Sequence, residues 1–218
     1  MYDSLKGLFI VIEGGEGAGK STQAELLYRS LSQRFPAILT REPGGTPLGE
    51  RIRELLLDPA LRPINPRAEL FLFLAARAQH IEEVIKPALE KGQIVISDRF
   101  SLSSLAYQGF GRGLDLSLLE EMDAFARQGI SPHLTIYIDI PPEEGMKRLP
   151  TITPFEGEPL EFHKRVREGY LELASRYPEK IKVVDGRGGV EEVKERIEKI
   201  VEEVIRRWHD EASYNGCS

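Results

Sequence analysis

Short apolar runs alternate along the chain with longer stretches in which apolar residues recur every three or four positions. The runs are Leu8–Glu13, Ala37–Thr40, Ile94–Ser97, Leu134–Asp139 and Ile181–Val184. They are mostly continuous rather than strictly alternating, which predicts strands covered on both faces. Lys20–Arg34, Pro66–Glu90, Ser117–Gln128, Leu160–Arg176 and Val190–Trp208 carry the helical period. Asn65 before Pro66 supplies a cap followed by proline at the first helical position. Ser117 with Glu120 has the form of a capping box, and Gly129 suits the end of that helix. Pro87 lacks a backbone donor, so it should kink or restart the long third helix. Strand–helix alternation with short links predicts an α/β fold, a doubly wound parallel sheet. With no internal repeat to divide it, residues 1–209 read as one domain and 210–218 as a loose tail.

In such a sheet, ligands bind beyond the carboxyl ends of the strands. Those ends carry Glu13, Arg41-Glu42, Asp98-Arg99, Asp139 and Asp185. Polar residues also end strands for purely structural reasons, so motifs have to decide. Composition narrows the choice. The 218 residues hold 29 Lys and Arg against 35 Asp and Glu, a net charge of −6. That balance argues against nucleic-acid or anionic-membrane partners, yet a locally positive pocket can still hold a small phosphate ligand. The single cysteine, Cys217, makes no internal disulfide or zinc cluster and is misplaced for prenylation. No apolar stretch approaches a membrane span, and the N-terminus lacks a secretory cleavage site, so the expected location is the cytoplasm.

Gly14-Gly15-Glu16-Gly17-Ala18-Gly19-Lys20-Ser21 matches G-x-x-x-x-G-K-[ST] in full, between a strand and a helix. The glycines let successive backbone N–H groups face one anion, and the helix that opens near Lys20 adds its positive end. Lys20 supplies a point charge to the β- and γ-phosphates, and Ser21 can hold Mg²⁺. A nucleoside triphosphate with magnesium is therefore the expected ligand. Asp98 is the preferred metal-orienting carboxylate, because Arg99 follows it. Asp139 reads as a cap on the loop toward Pro141.

A phosphate cradle alone does not separate a kinase from a GTPase, a motor or a regulator. No N-K-x-D base-reading segment is present. Thr40–Thr46 (TREPGGT) runs from a strand end into a glycine loop that lets backbone approach a ligand. Phe73 and Arg77 are four apart and share a helix face. A ring and a guanidinium so placed can stack on a base and bond its edge, though by themselves they are more often a core phenylalanine beside a surface arginine. The helix Pro66–Gln79 is apolar nearly all round, which implies burial in the core or in a dimer interface.

Four segments carry a resemblance: Phe9–Thr22 (FIVIEGGEGAGKST), Thr40–Glu50 (TREPGGTPLGE), Glu69–Val84 (ELFLFLAARAQHIEEV) and Asp98–Gly113 (DRFSLSSLAYQGFGRG). Together they resemble the bacterial thymidylate kinases over nearly the whole chain. The resemblance implies a P-loop NTPase fold with a five-stranded parallel core and a short lid. It implies ATP- and Mg²⁺-dependent phosphorylation of dTMP to dTDP in dTTP biosynthesis, and a homodimer. It places Gly14–Thr22 on ATP and Ser21 and Asp98 at the metal. Glu16 matches the acid near the acceptor sugar, and Glu42 and Pro43 fall at the substrate. Phe73 matches the ring that stacks on thymine, Arg77 the guanidinium that bonds the base, and Arg99 the ligand of the acceptor phosphate. Ser104, Tyr107 and Gln108 line the sugar and base pocket. Phe100 stands where a tyrosine is often found.

One departure matters. The expected lid, Leu149–Phe162 (LPTITPFEGEPLEF), contains no lysine or arginine, and the cradle is not basic between Glu16 and Ala18. Arg148, just before the lid, is the expected substitute at the transferring phosphoryl group, and a solvated helix residue is the alternative. The bare lid also leaves open a nucleotide-binding switch without turnover. A kinase of another nucleoside monophosphate or of a deoxynucleoside is the third reading.

Overall fold

The computed structural model describes residues 6–149 and 154–215. Five strands, β1 (Leu8–Gly14), β2 (Ala37–Arg41), β3 (Ile94–Asp98), β4 (Leu134–Asp139) and β5 (Ile181–Asp185), form one sheet in the order β2-β3-β1-β4-β5. Every pairing is parallel. All seven residues of β1 are buried, as a central strand covered on both faces requires. Alternate residues serve opposite layers. Leu8, Ile10 and Ile12 pack with Leu27 and Leu31 of α1 (Lys20–Ser32) and with Val193, Ile197 and Val201 of α9 (Val190–Asn215). Phe9 and Val11 pack with Ile81, Ile85 and Leu89. On that same side, Tyr137 of β4 stacks on Tyr170 of α8 (Leu160–Arg176), ring centroids 4.6 Å apart.

The register aligns the strand ends. Ile12 and Arg41 both lie opposite Asp98, and Gly14 lies opposite Ile138. The Gly14–Gly19 loop, the end of β2 and the Asp98-Arg99 corner therefore open on one edge of the sheet.

Several boundaries differ from the sequence pattern. The long third helix is α3 (Pro66–His80), a π-helical turn (Ile81–Ile85) and α4 (Lys86–Glu90). The disturbance expected at Pro87 is spread over the preceding turn, because the missing donor loosens the ladder upstream of the ring. The helix α6 (Leu116–Ala126) starts before Ser117, and its cap is Asp115, whose side chain accepts from the Leu118 N–H at 2.8 Å. Three α-helices among the described residues went unpredicted: α2 (Pro47–Leu57), the short α5 (Ser101–Ser104), which runs into a second π-helical turn, Leu105–Gly111, and the short α7 (Pro142–Gly145) after β4. The C-terminal helix extends to Asn215, so the expected tail begins inside it, and Cys217 lies outside the described residues.

Candidate active site

The loop between β1 and α1 is shaped by close backbone contact. Gly17 has φ +68°, and a Cβ there would stand 1.9 Å from the Gly145 carbonyl oxygen. Any other residue would push the loop off α7. Gly19, at φ +85°, caps α1. Lys20 is buried and curls back so that Nζ donates to the Gly15 carbonyl at 2.6 Å. Burial and the nearby Arg99 charge push its ammonium below the usual lysine range.

Ser21 Oγ donates to Asp98 Oδ2 at 2.5 Å, while Asp98 Oδ1 is buried and has no hydrogen-bond partner. A free carboxylate oxygen beside a hydroxyl suits a hard divalent cation. Among the described residues no group of three or more His, Cys, Asp and Glu could hold a metal by itself. Mg²⁺ does not require one, since it takes most ligands from water and substrate phosphates.

Arg99 is the hub. Nη1 donates to the Gly14 carbonyl at 3.2 Å and to Ser103 Oγ at 3.1 Å. Nη2 donates to Glu16 Oε1 at 3.0 Å and to the Tyr107 hydroxyl at 3.2 Å. Tyr107 in turn donates to Glu16 Oε1 at 2.7 Å. Burial works to raise the Glu16 carboxyl, but Arg99 and Lys20 outweigh it and hold the pKa at about 2. Glu16 is thus a fixed negative charge at neutral pH.

Two cavities meet at this residue. The first is lined by Phe73, Tyr107, Phe155, Leu57 and Pro43, with Ser104 and Gln108 among its polar groups. The second reaches from Arg41 to Lys20, Ser21 and Asp98. Glu16, Glu42, Arg53, Arg99 and Glu156 line both. Gln108 Nε2 donates to Glu69 Oε1 at 2.9 Å, which orients its amide.

Arg77 sits one layer behind. It is 1% exposed and lines neither cavity. Nε donates to Glu42 Oε2 at 2.8 Å, and Nη1 donates to Ser104 Oγ at 3.0 Å and Asp123 Oδ1 at 2.7 Å. His80 Nδ1 lies 3.0 Å from the other Glu42 oxygen. Burial works to lower the Arg77 pKa, but Glu42 and Asp123 raise it above the usual arginine value. Phe100, also buried, packs edge-on against Phe9 with centroids 5.0 Å apart.

Three expectations need adjusting. Arg77, expected at the base, lines neither cavity. Arg148 does not join the cluster: its Nη1 donates to the Gly186 carbonyl beyond β5 at 3.1 Å. Asp139 does not cap a loop; it forms a two-pronged pair with Arg167 at 2.8 and 2.9 Å. Sequence reasoning also missed several lining residues, among them Arg53, Phe155 and Glu156. Arg53 Nη1 donates to the Pro43 carbonyl at 3.2 Å. Its signal was the Thr46-Pro47 pair, a capping residue followed by proline at the first position of α2, the helix that carries Arg53. The lid residues 150–153 lie outside the described residues.

The family profile described as thymidylate kinase matches residues 12–197. The chain belongs to the thymidylate kinase family. It is 53% identical over 193 residues to a thymidylate kinase of Carboxydothermus hydrogenoformans, covering 87% of this chain and 94% of that one. To a thymidylate kinase of Bacillus licheniformis it is 44% identical over 208 residues, covering 93% and 98%. The crystal structure of thymidylate kinase from Ehrlichia chaffeensis superposes with a TM-score of 0.77 at 33% identity, covering 89% and 98%. Membership makes the chain a nucleoside monophosphate kinase with a P-loop NTPase fold.

Proposed function

We propose that the chain transfers the γ-phosphoryl group of ATP to dTMP, yielding dTDP and ADP on the route to dTTP. The observation that carries this reading is the junction of two cavities at Arg99. Phosphoryl transfer asks chiefly for alignment and charge neutralisation. Gly14–Thr22 and Lys20 hold the donor phosphates. Arg99, joined by Arg53, holds the acceptor phosphate in line. That phosphate is anionic at neutral pH, so no dedicated base is needed. Phe73 stacks on the base, Ser104 and Gln108 meet its edge, and Arg77 stiffens that wall through Ser104 and Glu42. Glu16 and Tyr107 face the sugar. Ser21 and Asp98 would hold Mg²⁺, which neutralises charge on the β- and γ-phosphates when bound. With γ-labelled ATP and dTMP, the label should appear in the β-phosphate of dTDP; label found only in inorganic phosphate would refute the reading.

Arg148 is the proposed cation for the transferring group, and it must release the Gly186 carbonyl to act. Arg148→Ala should lower kcat by about 10³-fold or more, the scale of an arginine finger, with little change in either KM. An unchanged kcat in steady-state assays would remove Arg148 from the machinery.

The proposed assembly is a homodimer. Phe71 of α3 is 59% exposed in the single chain, and Leu118 and Phe125 of α6 are 55% and 89% exposed. α3 and α6 pack side by side, and Leu118 and Phe125 are seven apart on one face. Large apolar groups left in water on adjacent helices mark a contact surface. Phe125→Glu should shift sedimentation from dimer to monomer; a wild-type profile would place the interface elsewhere. No helix among the described residues is long and apolar enough to cross a membrane. We place the enzyme in the cytoplasm.

A further inference from the structure

Glu13, near the end of β1, is fully buried and has no part in the chemistry described so far. Its Oε1 accepts from the Phe100 N–H at 2.9 Å and the Ser103 N–H at 3.1 Å. Its Oε2 accepts from Ser103 Oγ at 2.6 Å and the Tyr170 hydroxyl at 2.9 Å. Burial pushes this carboxyl above its usual range, against the pull of Arg99 and of these donors. A carboxylate so placed is expensive to bury, and here four donors from two parts of the chain saturate it.

Those donors bracket Arg99. The arginine has φ +73°, the left-handed region that residues with a side chain avoid. Such a conformation persists only where its surroundings impose it. On one side the Arg99 N–H donates to the Ile12 carbonyl at 2.9 Å, and Ser97 Oγ donates to the Arg99 carbonyl at 2.8 Å. On the other side stands Glu13, gripping the next residue and Ser103. Ser103 Oγ has one proton to give. By giving it to Glu13, it keeps its lone pairs for Arg99 Nη1, which donates to it at 3.1 Å.

We propose that Glu13 is a positioning residue for the acceptor phosphate: it clamps the left-handed turn after β3 and, through Ser103, aims the Arg99 guanidinium. The proposal rests on the reading of Arg99 as the acceptor clamp. Glu13→Gln separates aim from fold. The amide carbonyl can still accept the two backbone N–H groups. The amide N–H₂ now donates to Ser103, whose own proton must turn toward the Tyr170 hydroxyl, 2.9 Å away, or toward Arg99.

The test is a double-mutant cycle of Glu13→Gln and Arg99→Lys, with kinetics for both substrates and a thermal melt for each variant. Losing the aim of one charge-assisted hydrogen bond predicts about a tenfold or larger drop in kcat/KM for dTMP. KM for ATP stays put, and the double variant is no worse than Arg99→Lys to within about twofold. If Glu13→Gln does not fold, Ser103→Ala takes its place in the cycle. Unchanged dTMP kinetics would overturn the proposal. So would equal losses toward ATP and dTMP, or full additivity with Arg99→Lys. A wild-type Arg99→Lys would refute the clamp reading itself, and the proposal with it.

Discussion

Replacing Arg99 with alanine should lower kcat/KM for dTMP by about 10³-fold or more, with a far smaller change in KM for ATP. The guanidinium lines both cavities, as Arg53 does, and on the proposed reading it serves both the acceptor phosphate and the group in transfer. Two of its partners give up little to a phosphate, while Glu16 gives up an ion pair. The Gly14 carbonyl and Ser103 hydroxyl are neutral, and Glu16 keeps the Tyr107 hydroxyl as a donor when Arg99 turns away. The substitution also strips a counter-charge from Glu16 and Glu13, so a melt of the same protein has to accompany the kinetics. A folded Arg99→Ala enzyme within tenfold of wild type would contradict the assignment.

Arg77→Met should produce the largest loss of stability, about 3–5 kcal/mol by urea denaturation. The side chains of Arg77, Glu42 and Asp123 are only 1%, 4% and 5% exposed. Removing the cation leaves Asp123 with Arg127 and Glu42 with His80 as their remaining partners, two buried carboxylates that have each lost a charge-assisted hydrogen bond. For a chain of this size each kcal/mol moves the melting temperature by about 2–4 °C, so the effect is easily seen by calorimetry. The same change frees Ser104 and Glu42, and KM for dTMP should rise with it. Arg77→Lys keeps the charge but not the planar fork that reaches Ser104 and both acids, so it should fall between the two. A melting curve like that of the wild type for Arg77→Met would mean that the buried triad contributes no net stability.

The sheet was legible because its strands are unbroken apolar runs, and the cradle because its spacing is fixed by backbone geometry. All five strands appear within one residue of the expected ends. The interior polar network was not legible. Glu42, Arg77 and Asp123 lie 35 and 46 residues apart in sequence and come from the loop after β2, from α3 and from α6. Nothing local announces that Arg77, spaced to face a ligand with Phe73, spends its donors behind the pocket wall. Helix α2 was overlooked because Gly49 interrupts its first turn directly after the glycine loop, and Arg53 went with it. Ser117 lost the capping role to Asp115 because a side chain two residues upstream satisfies the Leu118 N–H.

The most direct measurement is coupled ADP release with ATP and Mg²⁺, comparing dTMP with dUMP, dCMP, dGMP, thymidine and no acceptor. Strong turnover that depends on dTMP, with weak rates for the others, is the predicted result. Equal turnover without acceptor, or a clear preference for another nucleotide or for thymidine, would contradict it.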